Sequence, residues 1–133
     1  MSNRPSWDDF LKGLAVYWSQ MSTCSRRQVG AVVVKDRMVL GEGFNGIVSG
    51  KTHCVDGGCP RGQFSYEDVP AGTDYNDVPC YAIHAEANAL YRAGLDAAHG
   101  ATLYVNAEPC TQCSALIERF GIKGVVVVSN DRG

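Results

Sequence analysis

The sequence predicts an α/β protein, a three-layer α/β/α sandwich on a mixed sheet with an antiparallel first hairpin and parallel later strands. Three observations carry that expectation. Two β-rich runs, at 29–34 and 38–44, are separated only by Lys35-Asp36-Arg37, which is hairpin spacing. A short strand at 102–106, a helix at 111–120 and a β-branched run at 124–129 then follow in strand–helix–strand order. That order implies a right-handed crossover and a parallel pair. Amphipathic segments ahead of and between the strands supply the two covering layers.

The elements are justified in order. Trp7, Phe10, Leu11, Leu14, Trp18 and Met21 recur at steps of three and four, which puts them on one face of a helix. Ser6 caps its start, and Asp9 suits its positive end. The stripe reads as core packing. After the hairpin, Gly41, Gly43 and Gly46 flank Phe44-Asn45, marking either a simple turn or a loop where backbone approaches a ligand. Residues 47–83 carry three of the six cysteines with little periodicity. A loop of that length in a compact domain is functional, disordered or held by something other than a core. Residues 85–92 read as a helix ended by Gly94, and His99 as a solvated loop residue. The helix at 111–120 places Cys113, Leu116, Ile117 and Phe120 on one face. The run at 124–129 has the composition of a strand buried on both faces.

The totals set bounds. A chain of 133 residues fits one domain, 1–133, with a core large enough to fold without disulfides. A net charge of −2 argues against a general nucleic-acid binder. No leader or membrane-spanning run is visible. The expected location is therefore the cytoplasm, where six cysteines are ligands or free thiols rather than disulfides.

Two fragments carry chemistry: His84-Ala85-Glu86 and Pro109-Cys110-Thr111-Gln112-Cys113. Together they match the H-x-E and P-C-x-x-C signature of zinc nucleobase deaminases. Zinc takes nitrogen and sulfur donors, and a catalytic site keeps one tetrahedral position open beside three protein ligands. His84, Cys110 and Cys113 supply the three. The metal lowers the pKa of a water in the open position. Glu86 remains free of the metal as the acid/base that moves the protons. Each fragment opens a predicted helix, whose positive end favours thiolates. Residues two apart in a regular helix diverge by about 200°, so His84 must take a cap-like conformation to converge with Glu86. Alone, C-x-x-C or H-x-E is weak; the conjunction, in order and at helix starts, is specific.

With these residues in hand, the chain resembles the deoxycytidylate (dCMP) deaminases of the cytidine-deaminase-like superfamily. The likeness runs through Cys24-Ser25-Arg26-Arg27-Gln28-Val29-Gly30-Ala31, Gly43-Phe44-Asn45-Gly46, His53-Cys54, Gly58-Cys59, the two metal fragments, Thr102-Leu103-Tyr104-Val105 and Gly121-Ile122-Lys123. It implies the cytidine-deaminase-like fold and hydrolytic deamination of dCMP to dUMP. It further implies that Asn45 contacts the deoxyribose, that the Ala85 backbone N–H meets the pyrimidine carbonyl, and that Arg26 or Arg27 holds the 5′-phosphate. Arginine suits phosphate through its planar fork, although two solvated surface arginines read equally well. The resemblance also implies a homo-oligomer, often a hexamer, and regulation by dCTP and dTTP. Here the chain departs: Gly43-Phe44-Asn45-Gly46-Ile47-Val48-Ser49-Gly50 lacks the tyrosine and proline of the family's regulatory loop. Glu108 before Pro109 is a second departure, more familiar in tRNA adenosine and guanine deaminases. The sequence also ends soon after Ser129, where relatives commonly add structure.

Cys24, Cys54, Cys59 and Cys80 remain once the catalytic pair is assigned. Four cysteines are the ligand number of a closed structural zinc site, and some dCMP deaminases carry a second zinc. His53 is an alternative ligand, and four independent thiols are the alternative reading. A metal clip would restrain 47–83 without a local core. The functional alternatives are a deaminase of 5-modified dCMP, of a free cytidine nucleoside or of tRNA adenosine, and a zinc module without catalysis. Glu86 speaks against the last, since structural zinc needs no carboxylate beside it.

Overall fold

The computed structural model describes residues 3–47, 50–75 and 77–129. Val48 and Ser49, part of the segment compared with the regulatory loop, lie outside them. The sheet is four-stranded in the order β2-β1-β3-β4, from β1 (Gly30–Lys35), β2 (Met38–Phe44), β3 (Thr102–Val105) and β4 (Gly124–Val127). The first pair is antiparallel, β1 also pairs antiparallel with β3, and β3 pairs parallel with β4. Asp36 and Arg37 close the hairpin at φ 52° and 65°, the sign a tight two-residue turn demands at both central positions.

Helix α1 (Trp7–Ser19) covers one face of the sheet, and α2 (Ala85–Ala93) and α4 (Thr111–Arg119) the other. Val32, Val34 and Tyr104 pack on Leu11, Ala15 and Trp18, while Ala31, Val33, Leu103 and Val105 pack on Ala89, Leu90, Ile117 and Phe120. The predicted layers are therefore present. A short helix α3 (Leu95–Ala98) occupies part of the expected loop, and His99 beyond it is exposed.

Two sequence expectations are revised. The Ser6 cap of α1 forms, with the Asp9 N–H donating to its hydroxyl at 3.1 Å. The buried stripe, however, runs through Leu11, Ala15 and Ser19, leaving Trp7, Phe10 and Met21 exposed. The reason is Gly30: a Cβ there would sit 2.1 Å from the Ala15 carbonyl oxygen and 2.4 Å from the Ser19 nitrogen. Only small residues, Ala15 and Ser19, fit directly over Gly30, while Leu11, Leu14 and Trp18 pack to its sides and Trp7, Phe10 and Met21 stay outside. Strand β4 is an edge strand rather than one buried on both faces. Val125 and Val127 are 40% and 41% exposed, and among the described strands β3 is its sole neighbour.

Gly41 and Gly43 lie inside β2, where they face α2. A Cβ on Gly41 would stand 2.3 Å from the Ala89 carbonyl oxygen, and one on Gly43 2.7 Å from the Asn88 Cβ. Helix α2 thus rests almost backbone to backbone on the sheet. Asn88 Nδ2 donates to the Phe44 carbonyl at 2.8 Å and Arg92 to the Glu42 carbonyl at 3.2 Å, fixing the helix along the strand. The long loop leaves and returns at one point. Gly46 and Ile83 exchange N–H···O bonds of 3.1 and 2.8 Å. That bridge ends one residue before His84.

Candidate metal centre

His84 is the N-cap of α2, with φ −72° and ψ 151°. This extended backbone is the cap-like conformation expected of it, and His84 and Glu86 line the same cavity. Cys110 is the N-cap of α4, and its sulfur accepts the Cys113 N–H at 3.4 Å. The cysteine pair is thereby set by the first turn of the helix. His84 Nδ1 lies 3.2 Å from the Cys113 sulfur and 3.5 Å from that of Cys110. Among the described residues this is the one group of metal-binding side chains with every donor atom within 4.8 Å of the others. Metal–sulfur bonds of about 2.3 Å and metal–nitrogen bonds of about 2.0 Å, tetrahedrally disposed, put nitrogen and sulfur about 3.5 Å apart. The donor set and its spacing therefore fit zinc.

The electrostatics follow from burial. Glu86 is 4% exposed; desolvation pushes its carboxyl upward, opposed by its own backbone N–H and by the positive charge of Arg27. Burial, and then Arg27, push the His84 imidazole downward, keeping it neutral as a ligand must be. The Cys113 thiol is raised by burial first and then by the negative charges of Glu86 and Cys110. A coordinated cation reverses that direction.

His84, Glu86 and Cys110 line a cavity of ≈ 680 Å³ that also reaches Arg26, Arg27, Asn45, Arg61, Tyr75 and Glu108. Arg27 Nη2 donates to the Glu108 carbonyl at 3.1 Å. Arg26 donates to the carbonyls of Val69 (2.6 Å) and Phe64 (3.4 Å), and its guanidinium lies 4.1 Å from the Tyr66 ring centroid. The head of Arg26 thus holds the loop, and that of Arg27 hangs from the segment before Cys110. Asn45 is buried: Oδ1 accepts from the Val29 N–H at 2.9 Å and the Ser22 hydroxyl at 2.5 Å, and Nδ2 donates to the Arg27 carbonyl at 2.7 Å. One Nδ2 proton is left over from those bonds. Ala85 opens α2, fully buried, where first-turn N–H groups have no acceptor within the helix.

Cys24, Cys54 and Cys59 are buried together, with Cys80 packed against them. All six cysteines are free thiols. The Cys54 sulfur meets the Ser25 hydroxyl at 3.2 Å, and Gly62 gives it room, since a Cβ there would lie 2.2 Å from it. Burial raises the Cys80 thiol to about 11. It also acts upward on Cys59, but hydrogen bonds from the Tyr81 and Gly62 backbone and with Cys80 and Cys54 outweigh it and leave that thiol below its ordinary value. His53 is exposed at the start of the short helical turn Cys54–Asp56.

Sequence reasoning missed Arg61, Tyr75 and Asn106. Arg61 is 6% exposed, donates to the Val78 carbonyl at 3.1 Å and lies 4.4 Å from the Tyr75 ring centroid. Tyr75 meets the His84 ring edge-on at 6.3 Å. Both sit in an aperiodic loop, so no spacing announced them.

Residues 5–129 match the family described as the cytidine and deoxycytidylate deaminase zinc-binding region. The deoxycytidylate deaminase of Mycobacterium phage D29 is 47% identical over 126 residues, covering 93% of this chain and 95% of that protein. The deoxycytidylate deaminase of Saccharomyces cerevisiae is 40% identical over 124 residues, covering 92% of this chain but 38% of the yeast protein. The dCMP deaminase from the cyanophage S-TIM5 superposes in its apo form with TM-score 0.69, at 29% identity, over 96% of this chain and 87% of that one. Its complex with dCMP and dUMP gives TM-score 0.67, also at 29% identity, over 93% and 82%.

Proposed function

The chain belongs to the cytidine and deoxycytidylate deaminase zinc-binding family, and on that premise we propose that it is a zinc-dependent dCMP deaminase. It hydrolyses dCMP to dUMP, with water consumed and ammonia released. The observation that carries this reading is the trio His84, Cys110 and Cys113, with donors within 4.8 Å of one another, beside a buried carboxyl that is no part of it. The phage relative of nearly equal length bears the name of that activity, and a structural neighbour holds its substrate and product.

His84, Cys110 and Cys113 hold the catalytic zinc, which when bound supplies the Lewis acidity that makes water nucleophilic near neutral pH. Glu86 takes the proton of the attacking water and delivers protons to the ring nitrogen and the departing amine. Burial supports this role, since it raises the carboxyl toward the working pH and so suits it to both accept and donate. The Ala85 N–H, at the positive end of α2, meets the pyrimidine carbonyl. Asn45 offers its remaining amide proton to the sugar. Arg27 holds the 5′-phosphate; Arg26 shapes the wall through the loop it pins.

Cys24, Cys54, Cys59 and Cys80 form a second, structural zinc site that clips the insertion at about 47–83 into the single domain 1–133. Their shared burial supports it, and His53, exposed, is the weaker fourth donor. The assembly is a homo-oligomer, a reading supported by the bare valines of β4, the exposed Tyr17 of α1 and the exposed Met21 just beyond it. The compartment is the cytoplasm, in keeping with six free thiols; no described helix is long and apolar enough to cross a membrane.

The test is a substrate panel of dCMP, CMP, deoxycytidine, 5-methyl-dCMP and a tRNA, followed by ammonia release. dCMP should give the highest kcat/KM. Preference for deoxycytidine or tRNA, or no turnover of dCMP by zinc-loaded protein, would overturn the assignment.

A further inference from the structure

Two buried asparagines, 7% exposed each, hold the four residues that lead from the cavity into β1. Asn45 accepts the Val29 N–H and donates to the Arg27 carbonyl. Asn106 does the same one step along: Oδ1 accepts the Gly30 N–H at 2.8 Å and Nδ2 donates to the Gln28 carbonyl at 3.1 Å. Successive polar groups of Arg27-Gln28-Val29-Gly30 are thus answered by side chains from two different strand ends. The segment needs such answers. Gly30 lies so close under α1 that a Cβ there would meet the Ala15 carbonyl oxygen at 2.1 Å, and a buried N–H or C=O without a partner is costly.

Asn106 has a second connection. It stands just past β3 on the stretch that leads to Cys110, and two residues on, the Glu108 carbonyl accepts from the Arg27 guanidinium at 3.1 Å. One short stretch, 106–110, therefore grips the arginine segment by its backbone, holds the head of Arg27, and ends in a donor of the metal trio.

We propose that Asn106 is a positioning residue for substrate binding: it sets Arg27 relative to Cys110, and so sets the distance between the phosphate of dCMP and the reacting ring. The inference rests on the reading of Arg27 as the phosphate contact. A rigid span between those two points rewards a substrate whose phosphate and ring are separated by one deoxyribose. Loosening it weakens the hold on the phosphate while leaving the metal donors on their helices.

The experiment is steady-state kinetics on dCMP for Arg27→Ala, Asn106→Ala and the double variant, with zinc content measured for each. Arg27→Ala should raise KM at least about tenfold, the loss expected of a charge-assisted hydrogen bond. Asn106→Ala should raise KM by a similar factor, about tenfold, with a much smaller effect on kcat and zinc content. In the Arg27→Ala background the Asn106→Ala change should raise KM by less than about twofold, because the residue it positions is gone. Asn106→Asp keeps the acceptor for Gly30 and loses the donor to Gln28; it should raise KM in the same Arg27-dependent way, and it stands in if the alanine variant does not fold. A raised KM for Arg27→Ala with an additive effect of Asn106 overturns this inference alone, since a merely structural residue acts equally in both backgrounds. An unchanged KM for Arg27→Ala overturns the phosphate reading itself.

Discussion

Replacing Glu86 with glutamine keeps the shape of the side chain and removes its proton transfer. Glu86 is the one buried carboxylate among the described residues, at 4% exposure, so no second acid is enclosed with it to take over. A positioned general acid/base contributes about 10²–10⁴-fold. Here one group serves both the water and the departing amine, which places the expected loss at the upper end, about 10⁴-fold in kcat or about 5 kcal/mol of barrier. The metal donors are untouched, so zinc bound per chain should be retained. Stability supplies an independent sign. Desolvation raises the carboxyl in the folded chain. The folded state therefore binds the proton more tightly than the unfolded state, and the carboxyl's contribution declines as pH rises through the interval from the unfolded to the folded pKa. Glutamine cannot ionise, so at neutral pH the metal-free variant should melt no lower than metal-free wild type. The assays are loss of cytosine absorbance on dCMP, zinc analysis and thermal melting. Turnover within tenfold of wild type would refute the assigned chemistry, and loss of zinc would make Glu86 a ligand instead.

Cys113→Ser should lose the catalytic ion and abolish dCMP turnover, measured by metal analysis beside activity; full zinc content would show the trio is not the site. Wild-type protein should carry about two zinc ions per chain, and Cys54→Ser about one, with a lower melting temperature before kcat changes; a wild-type value near one would remove the second site. Gly30→Ala should destabilise by about 1–3 kcal/mol or more, because its Cβ meets α1 backbone at 2.1 Å and the helix must lift. Urea unfolding would read this, and an unaltered midpoint would mean the helix yields freely.

The metal donors were legible because their chemistry is local. His84 and Cys110 are both helix caps, and a cap is written in neighbouring residues. The sheet order was half legible: the hairpin and the parallel pair follow from adjacency, while the pairing of β1 with β3 across the long insertion does not. The stripe of α1 was half legible: Leu11, Leu14 and Trp18 pack on the sheet as expected, while Trp7, Phe10 and Met21 do not, because the close approach at Gly30 decides which residues the sheet receives. Asn45 was read through its family likeness as a sugar contact, yet most of its bonding capacity goes to the backbone at Arg27 and Val29. Arg61 and Tyr75 were invisible, because position in an aperiodic loop encodes no direction until the loop is closed by Gly46 and Ile83.

The bare-backbone seat of α2 on Gly41 and Gly43 bears on how this enzyme can diversify. Any side chain added at either glycine would push on the helix that carries Glu86 and is capped by His84, so the seat of that half of the pocket is closed to gradual change at those two positions. Room for change lies on the walls that α2 does not carry, among them insertion residues such as Arg61 and Tyr75, whose exchange alters the contour of the cavity and leaves that helix where it is.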